Sequence, residues 1–459
     1  MLYRSLRWAA GIGLHWYYAD VVVQGAERVP EAGPLLVVAN HPNALVDALL
    51  VGTTLRRRVL LTAKATLFEH PLLAPLLRRI GVVPLRRAAD ERAAAKDGGV
   101  TPTRNAVAFQ AVREALREGS AVLVFPEGIS HDRPELAPLK TGAARMALDA
   151  ESAGVHGLMV LPLGLVFERK EALRSRVLVR IGEPIDVDSW RAGASTPGAS
   201  HLTADIDEAL RHVTLNFASD ARAERAVTLA RALAAIAQAP PSLTRPRPLS
   251  IEAELARRIE RATDGLTSAT PVLVAQADRF TARVSALEAR LAARGATLAD
   301  VQISPRIRHG ARFVVREGAL ALLALPVAWL GRITHWPPLR LARWLAMRPL
   351  TRDPSRDLPA MRTIVLGLGL VLLWYLVQGI AFTHWFGLPV ALGWLVLIFL
   401  AARVDFVFRD RLRRARERAR TYRALRADPE LRARALAEVA ELLEEARRLE
   451  GALVGDGTR

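Results

Sequence analysis

Leu35-Leu36-Val37-Val38-Ala39 runs directly into Asn40-His41-Pro42-Asn43-Ala44-Leu45-Val46-Asp47. The first five residues are short, apolar and rich in valine, the composition of a strand buried on both faces of a sheet. A histidine at the end of such a strand, with a carboxylate a few residues on, makes a general base with its orienting partner. Taken alone, the same pair also fits a helix cap beside a satisfied core histidine.

The pattern recurs downstream. Ala121 to Phe125 is a second apolar run, and it ends in Phe125-Pro126-Glu127-Gly128, followed by a polar loop with Ser130, His131 and Asp132. Gly128 permits close backbone approach, and Glu127 supplies an acceptor for a substrate hydroxyl or a neighbouring cation. Between the two lies Gly81-Val82-Val83-Pro84-Leu85-Arg86-Arg87, a strand-like run ending in two guanidiniums suited to bidentate phosphate binding. Lys64 and Lys140 add point charges. Further strands are predicted at Val21–Val23, Val59–Leu61, Leu158–Leu165 and Val177–Ile181. Helices are predicted at Ala44–Leu50, Pro71–Ile80, Asn105–Glu118 and Thr141–Ala153. This alternation predicts an α/β domain whose site lies in loops just after strand ends.

In this order the blocks resemble the glycerolipid acyltransferase family, the lysophosphatidate and glycerol-3-phosphate acyltransferases of the PlsC type. Its pattern is Asn-His with a following acidic residue, a Gly…Arg strand, Phe-Pro-Glu-Gly, and a Pro-containing strand, here Val160-Leu161-Pro162-Leu163. The resemblance covers residues 20 to 190. It implies a sheet flanked by helices, with His41 as base oriented by Asp47 and Arg87 holding the acceptor phosphate. Arg86 is the fallback for that role, and Glu127, Gly128 and Ser130 shape the acceptor pocket. It implies acyl-CoA or an acyl-carrier protein as donor, a phosphorylated glycerol or lysolipid as acceptor, and neither cofactor nor metal. The common pattern has four residues between histidine and aspartate, whereas this chain has five, Pro42 to Val46. In a plain helix one added residue rotates the carboxylate by about 100°. A Pro-Asn turn ahead of the helix absorbs such an insertion. The longer spacing is similar to a glycerol-3-phosphate/dihydroxyacetone-phosphate acyltransferase subgroup and tilts the acceptor toward glycerol 3-phosphate.

The remainder of the 459 residues reads differently. Residues 1–19 form an amphipathic helix, either membrane-associating or an ordinary surface helix, and do not resemble a cleaved signal. After the acyltransferase domain at 20–200, a helical extension spans 201–238. The run Ala239 to Leu249 carries four prolines, which places a linker at 239–250. A helical region follows at 251–350. Within it Gly318–Leu330, interrupted by Pro326, reads as too short to span a membrane and as re-entrant, interfacial or core. Ile364 to Phe382 is 19 residues without a charged side chain, near the roughly 20 a hydrocarbon core requires. With Leu388–Leu400 it predicts a C-terminal transmembrane hairpin over 351–408, joined by the aromatic connector Thr383–Gly387. A charged helical tail fills 409–459. From Arg403 to Arg426 there are ten arginines against three acidic residues, and the connector has no Lys or Arg. The positive-inside rule then puts both ends of the hairpin, and the catalytic domain, on the cytoplasmic side of an inner membrane.

Composition narrows the classes. Hydrophobic residues make up 51% of the chain and the formal net charge is +18. That surplus suits nucleic acid or an anionic membrane surface. The arginine cluster borders the apolar spans and no nucleic-acid motif stands out, so membrane lipid is the partner expected and nucleic acid is not. Without cysteine there is no thiol nucleophile, disulfide or thiolate-bound metal. The rival expectations are an acyltransferase for another lysolipid, and a lipid-binding scaffold with an inactive acyltransferase fold.

Overall fold

A computed structural model describes residues 2–64, 68, 73–85, 103–267, 269–304, 306–347 and 358–455. Strands form at Asp20–Gln24 (β1), Leu35–Ala39 (β2), Val59–Leu60 (β3), Thr62–Lys64 (β4), Val83–Leu85 (β5), Ala121–Val124 (β6), Met159–Phe167 (β7), Arg176–Ile181 (β8) and Ile185–Asp186 (β9). The main sheet has the order β1-β8-β7-β2-β6-β3, with β9 alongside β7. β2 lies between β6 and β7 and is parallel to both, with Leu35 opposite Ala121 on one side and Met159 on the other. Every residue of β2 is buried, as expected of a central strand in a sheet covered on both faces. The β7–β8 pair is antiparallel, so the sheet is mixed. The expected strand Val59–Leu61 ends at Leu60, and the chain beyond it forms β4, which pairs with β5 in a second sheet.

Helices in this part of the chain are Leu2–Tyr17 (α1), Leu45–Thr54 (α2), Leu73–Ile80 (α3), Thr103–Arg117 (α4), Gly142–Ser152 (α5), Val187–Gly193 (α6) and Ala199–Val213 (α7). One face of the sheet packs Leu36, Val38, Val122 and Val160 against Val112 and Leu116 of α4, Ala147 of α5 and Leu202, Ile206 and Leu210 of α7. The other packs Leu35, Val37 and Leu161 against Leu14 and Tyr17 of α1 and Leu50 and Val51 of α2. Two expectations are corrected here. The N-terminal helix is not separate from the domain, because Leu14 and Tyr17 are core residues and the Arg7 guanidinium donates to the Thr53 carbonyl at 3.3 Å. Trp8 of the same helix remains exposed. Likewise the domain does not end at residue 200, since α7 completes its core. The first compact unit comprises Met1–Asn216 with Pro349–Ile364.

The second unit comprises Phe217–Arg348 and Val365–Arg459. Its helices are Asp220–Ala237 (α8), Leu249–Gly265 (α9), Pro271–Ala293 (α10), Ile307–Ala346 (α11), Leu358–Phe386 (α12), Leu388–Ala427 (α13) and Pro429–Gly455 (α14). The helical extension expected over 201–238 is two helices, because the chain leaves helix between Val213 and Asp220, where Ser219 caps α8 through the Arg222 N–H at 3.2 Å. The proline run ends where α9 begins. α8, α10 and α14 share a core built on Ile236, Phe280, Val284, Leu287, Leu291 and Leu442.

Among the described residues three helices, not two, are long and apolar enough to cross a membrane: Ile307–Ala346, Arg362–Phe386 and Leu388–Ala427. Gly318–Leu330 is therefore no short run. It lies inside a continuous 40-residue helix whose Leu322, Leu323 and Trp329 are exposed, a surface suited to lipid. α12 and α13 meet at Gly387 and pack through the stacked Phe382 and Trp394 rings. Up to His335, α11 follows α13 closely. A Cβ on Gly331 would come within 2.2 Å of the Ala401 carbonyl oxygen, and Arg411 donates to Glu317 at 2.7 Å. His335 Nε2 meets the Tyr375 hydroxyl at 2.7 Å. Beyond Pro337 and Pro338, Leu339 and Ala342 lie by Gly367, farther back toward the start of α12. Pro337 and Pro338 withdraw two N–H donors from this helix, which nevertheless continues to Ala346.

Candidate functional site

The C-terminal ends of the parallel strands β2 and β6 lie side by side, so the loops after Ala39 and Val124 emerge together. Asn40 joins the first loop to β7: its amide accepts from the Leu165 N–H at 2.7 Å and donates to the Leu165 carbonyl at 3.1 Å. His41 follows. Its Nδ1 lies 2.9 Å from Asp47 Oδ2. Asp47 is fully buried in the first turn of α2. Because an ionised carboxylate only accepts, Nδ1 carries the proton and Nε2 is left with a lone pair. The imidazole stacks on Phe125 with centroids 3.9 Å apart and planes at 12°.

The chain turns between His41 and Ala44 before the helix starts. Residues 40–44 bend without forming helix, and α2 begins at Leu45. Ala44 takes a positive φ of 47°, a conformation that costs on the order of 1–3 kcal/mol for a residue with a Cβ. Several bonds hold it there. The Ala44 N–H donates to Ser130 Oγ at 3.1 Å, and the Asn43 N–H donates to Asp47 Oδ2 at 2.7 Å. The buried Asn43 amide donates to the Tyr18 hydroxyl at 3.1 Å. The ammonium of Lys170 donates to the Pro42 carbonyl at 2.8 Å and pairs with Asp132.

Glu127 stands beside the histidine but is turned inward. The sequence places it in the acceptor pocket, whereas here it is 2% exposed and both oxygens are engaged. Oε1 accepts from the His41 N–H at 2.8 Å, and Oε2 accepts from the Ala137 N–H at 2.8 Å and contacts His131 Nε2. Its carboxylate thus fastens the loop after β6 to the loop after β2. Ser130 is likewise committed to the Ala44 backbone. Gly128 has φ +70°, a conformation that disfavours any other residue, and a Cβ there would lie 2.6 Å from Lys140 Nζ. Lys140 therefore reaches over the Phe-Pro-Glu-Gly turn. Lys64 contributes its backbone to β4 opposite Leu85, the last residue of β5. Arg86 and Arg87 lie outside the described residues.

Sequence reasoning missed Tyr18, Phe125 and Lys170. Phe125 stood within the quoted motif, but stacking on His41 depends on how β2 and β6 are registered. Lys170 lies in the charged run Glu168–Glu171, which reads as an ordinary solvated turn.

Burial pushes the Asp47 carboxyl above the ordinary carboxylate range, opposed by its bonds to His41 and the Asn43 N–H and by the charge of Lys170. Only the ionised form holds the Nδ1–H tautomer. As pH falls, the His41–Asp47 pair takes up a proton and the base is lost, with the burial of Asp47 favouring that uptake. Activity is therefore expected to decline on the acid side at a pH above the usual aspartate range. Lys170→Met, which removes the opposing charge, should move that limb to still higher pH. An unmoved limb in a pH–rate profile of the variant would disprove the coupling.

The site thus holds a His–Asp pair at the C-terminal ends of parallel strands, with Nε2 of the imidazole turned away from the carboxylate. Residues 20–166 match the model of the acyltransferase family. Over that segment the chain is similar to that family. Among similar proteins, an uncharacterised acyltransferase of Schizosaccharomyces pombe is 26% identical over 40% of this chain and 39% of its own length. Glycerol-3-phosphate O-acyltransferase 2 of Saccharomyces cerevisiae is 45% identical over 18% of this chain and 11% of its own length. A 1-acyl-sn-glycerol-3-phosphate acyltransferase of Borreliella burgdorferi is 27% identical over 34% of this chain and 53% of its own length. The chain thus spans about half or less of the length of these relatives.

Proposed function

We propose that this protein is a membrane-bound O-acyltransferase of phospholipid synthesis, moving a fatty acyl group from a thioester donor to glycerol 3-phosphate or 1-acylglycerol 3-phosphate. The observation that carries this reading is the His41–Asp47 pair, with Nε2 turned away from the carboxylate. His41 Nε2 takes the proton of the acceptor hydroxyl as its oxygen attacks the thioester carbonyl. The tetrahedral intermediate collapses with loss of the thiolate, which receives a proton from His41. The products are an ester and a free thiol, from acyl-CoA or from acyl-carrier protein, and no acyl-enzyme forms. No resident metal or cofactor is needed for these steps. The apolar helices would keep the chain in the membrane that holds its lipid substrate or product. The arginines following Phe408 favour a cytoplasmic inner membrane, with the catalytic domain on the cytoplasmic side.

Arg87 is assigned to the acceptor phosphate, with Arg86, Lys64 and Lys140 as neighbouring cations. Arg87→Ala is expected to weaken acceptor use about 10- to 100-fold, the range of a lost charge-assisted bidentate bond. Hydrolysis of the thioester by water should change little, and Arg87→Lys should restore only part of the loss. The measurement is a panel of radiolabelled acyl transfers to glycerol 3-phosphate, 1-acylglycerol 3-phosphate and other lysolipids. Transfer to none of these acceptors would sink the proposal and favour the inactive lipid-binding scaffold. An unchanged acceptor KM in Arg87→Ala would move the phosphate role to another cation.

A further inference from the structure

In the second unit α13 changes character at one point. It is largely apolar from Leu388 to Phe408 and rich in arginine from Arg409 onward. Arg409, Arg413, Arg416 and Arg420 recur four, three and four residues apart, which sets them on one stripe of the helix. That stripe and the facing side of α11 enclose a cavity of about 580 Å³. Its lining has five arginines, the stripe and Arg332, against two carboxylates, Asp405 and Glu417. The buried Asp405 is already shared, lying 3.5 Å from Arg332 and 3.0 Å from Arg409. Among the described residues, Arg413, Arg416 and Arg420 pair with no carboxylate. The rest of the wall is apolar, with Trp329, Phe408 and Leu412 prominent.

Like charges three and four residues apart on a helix repel one another, so an anion among the guanidiniums of Arg413, Arg416 and Arg420 would relieve that repulsion. Guanidinium forks match phosphate oxygens. The apolar wall continues into the lipid-facing part of α11 and α13. A free phosphate ion would leave that wall unused, whereas a ligand with a phosphate at one end and acyl chains at the other would use all of it.

We propose that this cavity binds an anionic glycerophospholipid, with its phosphate among Arg413, Arg416 and Arg420 and its chains along Trp329 and Phe408. The site uses no residue of the His41 loop and stands whether or not the acyl-transfer reading holds. The probe is phosphatidylglycerol, neither substrate nor product of the proposed reaction, with phosphatidylcholine as the neutral control.

The full-length protein in non-ionic detergent is titrated with each lipid, and bound lipid is counted by native mass spectrometry. Wild type is expected to bind one phosphatidylglycerol in preference to phosphatidylcholine. The triple variant Arg413→Gln, Arg416→Gln, Arg420→Gln should bind it on the order of 100-fold more weakly. Removing the same charge elsewhere, with Arg426→Gln, Arg447→Gln and Arg448→Gln, should change binding less than about three-fold. Should the triple variant not fold, Arg416→Gln alone is read, with about a five-fold loss expected. Equal losses in the two triple variants would reduce the stripe to diffuse surface charge and overturn the proposal. So would undiminished binding in the stripe variants, or inorganic phosphate binding the wild type as tightly as the lipid does.

Discussion

His41→Ala is expected to lower acyl transfer by about 10²–10⁴-fold, the range general-base catalysis contributes, and so to near background. The ring is only slightly exposed, and its removal leaves the surrounding loop bonded through groups the substitution does not touch. The His41 N–H still meets Glu127, and the Asn43 N–H still meets Asp47. The variant should therefore keep its thermal midpoint within a few degrees and still partition into membranes. Because Phe125 loses its stacking partner, a small fall in stability of about 0.5–1.5 kcal/mol is expected. The decisive measurement is kcat/KM for a fixed acceptor, alongside a melting curve of the same preparation. Full activity in a folded His41→Ala protein would end the acyl-transfer mechanism and leave the lipid-binding scaffold as the better reading.

Asp47→Asn should be nearly as severe, though for a different reason. The amide presents an N–H or a carbonyl to His41 Nδ1 but cannot stabilise the imidazolium that forms as the acceptor loses its proton. In comparable histidine–aspartate pairs this change costs about 10⁴ in rate, largely by favouring the wrong tautomer. Here one oxygen of Asp47 also accepts from the Asn43 N–H, so the geometry of the Pro42–Ala44 turn depends on it. Deleting Ala44 tests the turn directly, because it restores the common spacing of four residues. The positive φ at that position and its bond to Ser130 indicate a turn built for the longer loop. The deletion is therefore expected to inactivate the protein. An active deletion variant would mean that the extra residue is merely tolerated.

The strands, most of the helices around them and the polar groups of the site were legible in the sequence because they rest on local patterns. A valine-rich run such as Leu35–Ala39 has few conformations that satisfy both its side chains and its backbone. A histidine at its end, and Phe-Pro-Glu-Gly at the end of another, are readable without any contact being known. What each polar group faces was not readable. Glu127 reads in sequence as an acceptor for a substrate hydroxyl or a neighbouring cation, and the registration of β2 with β6 brings the His41 N–H and the Ala137 N–H to its two oxygens.

The same division holds in the C-terminal third. Hydropathy over Ile364–Phe382 by itself determined that a span is present there, since the length of an uncharged run is a property of the chain alone. It could not determine that Gly318–Leu330 belongs to a helix of 40 residues. Helix continues through Pro326, and its flanks pack on α13, Gly331 against Ala401 and Glu317 against Arg411. Nor does any local pattern bring Lys170 to the carbonyl of Pro42 or Tyr18 to Asn43. Those meetings join residues far apart in the chain, and a contact of that kind exists only once β7, β2 and α1 have packed around a common core.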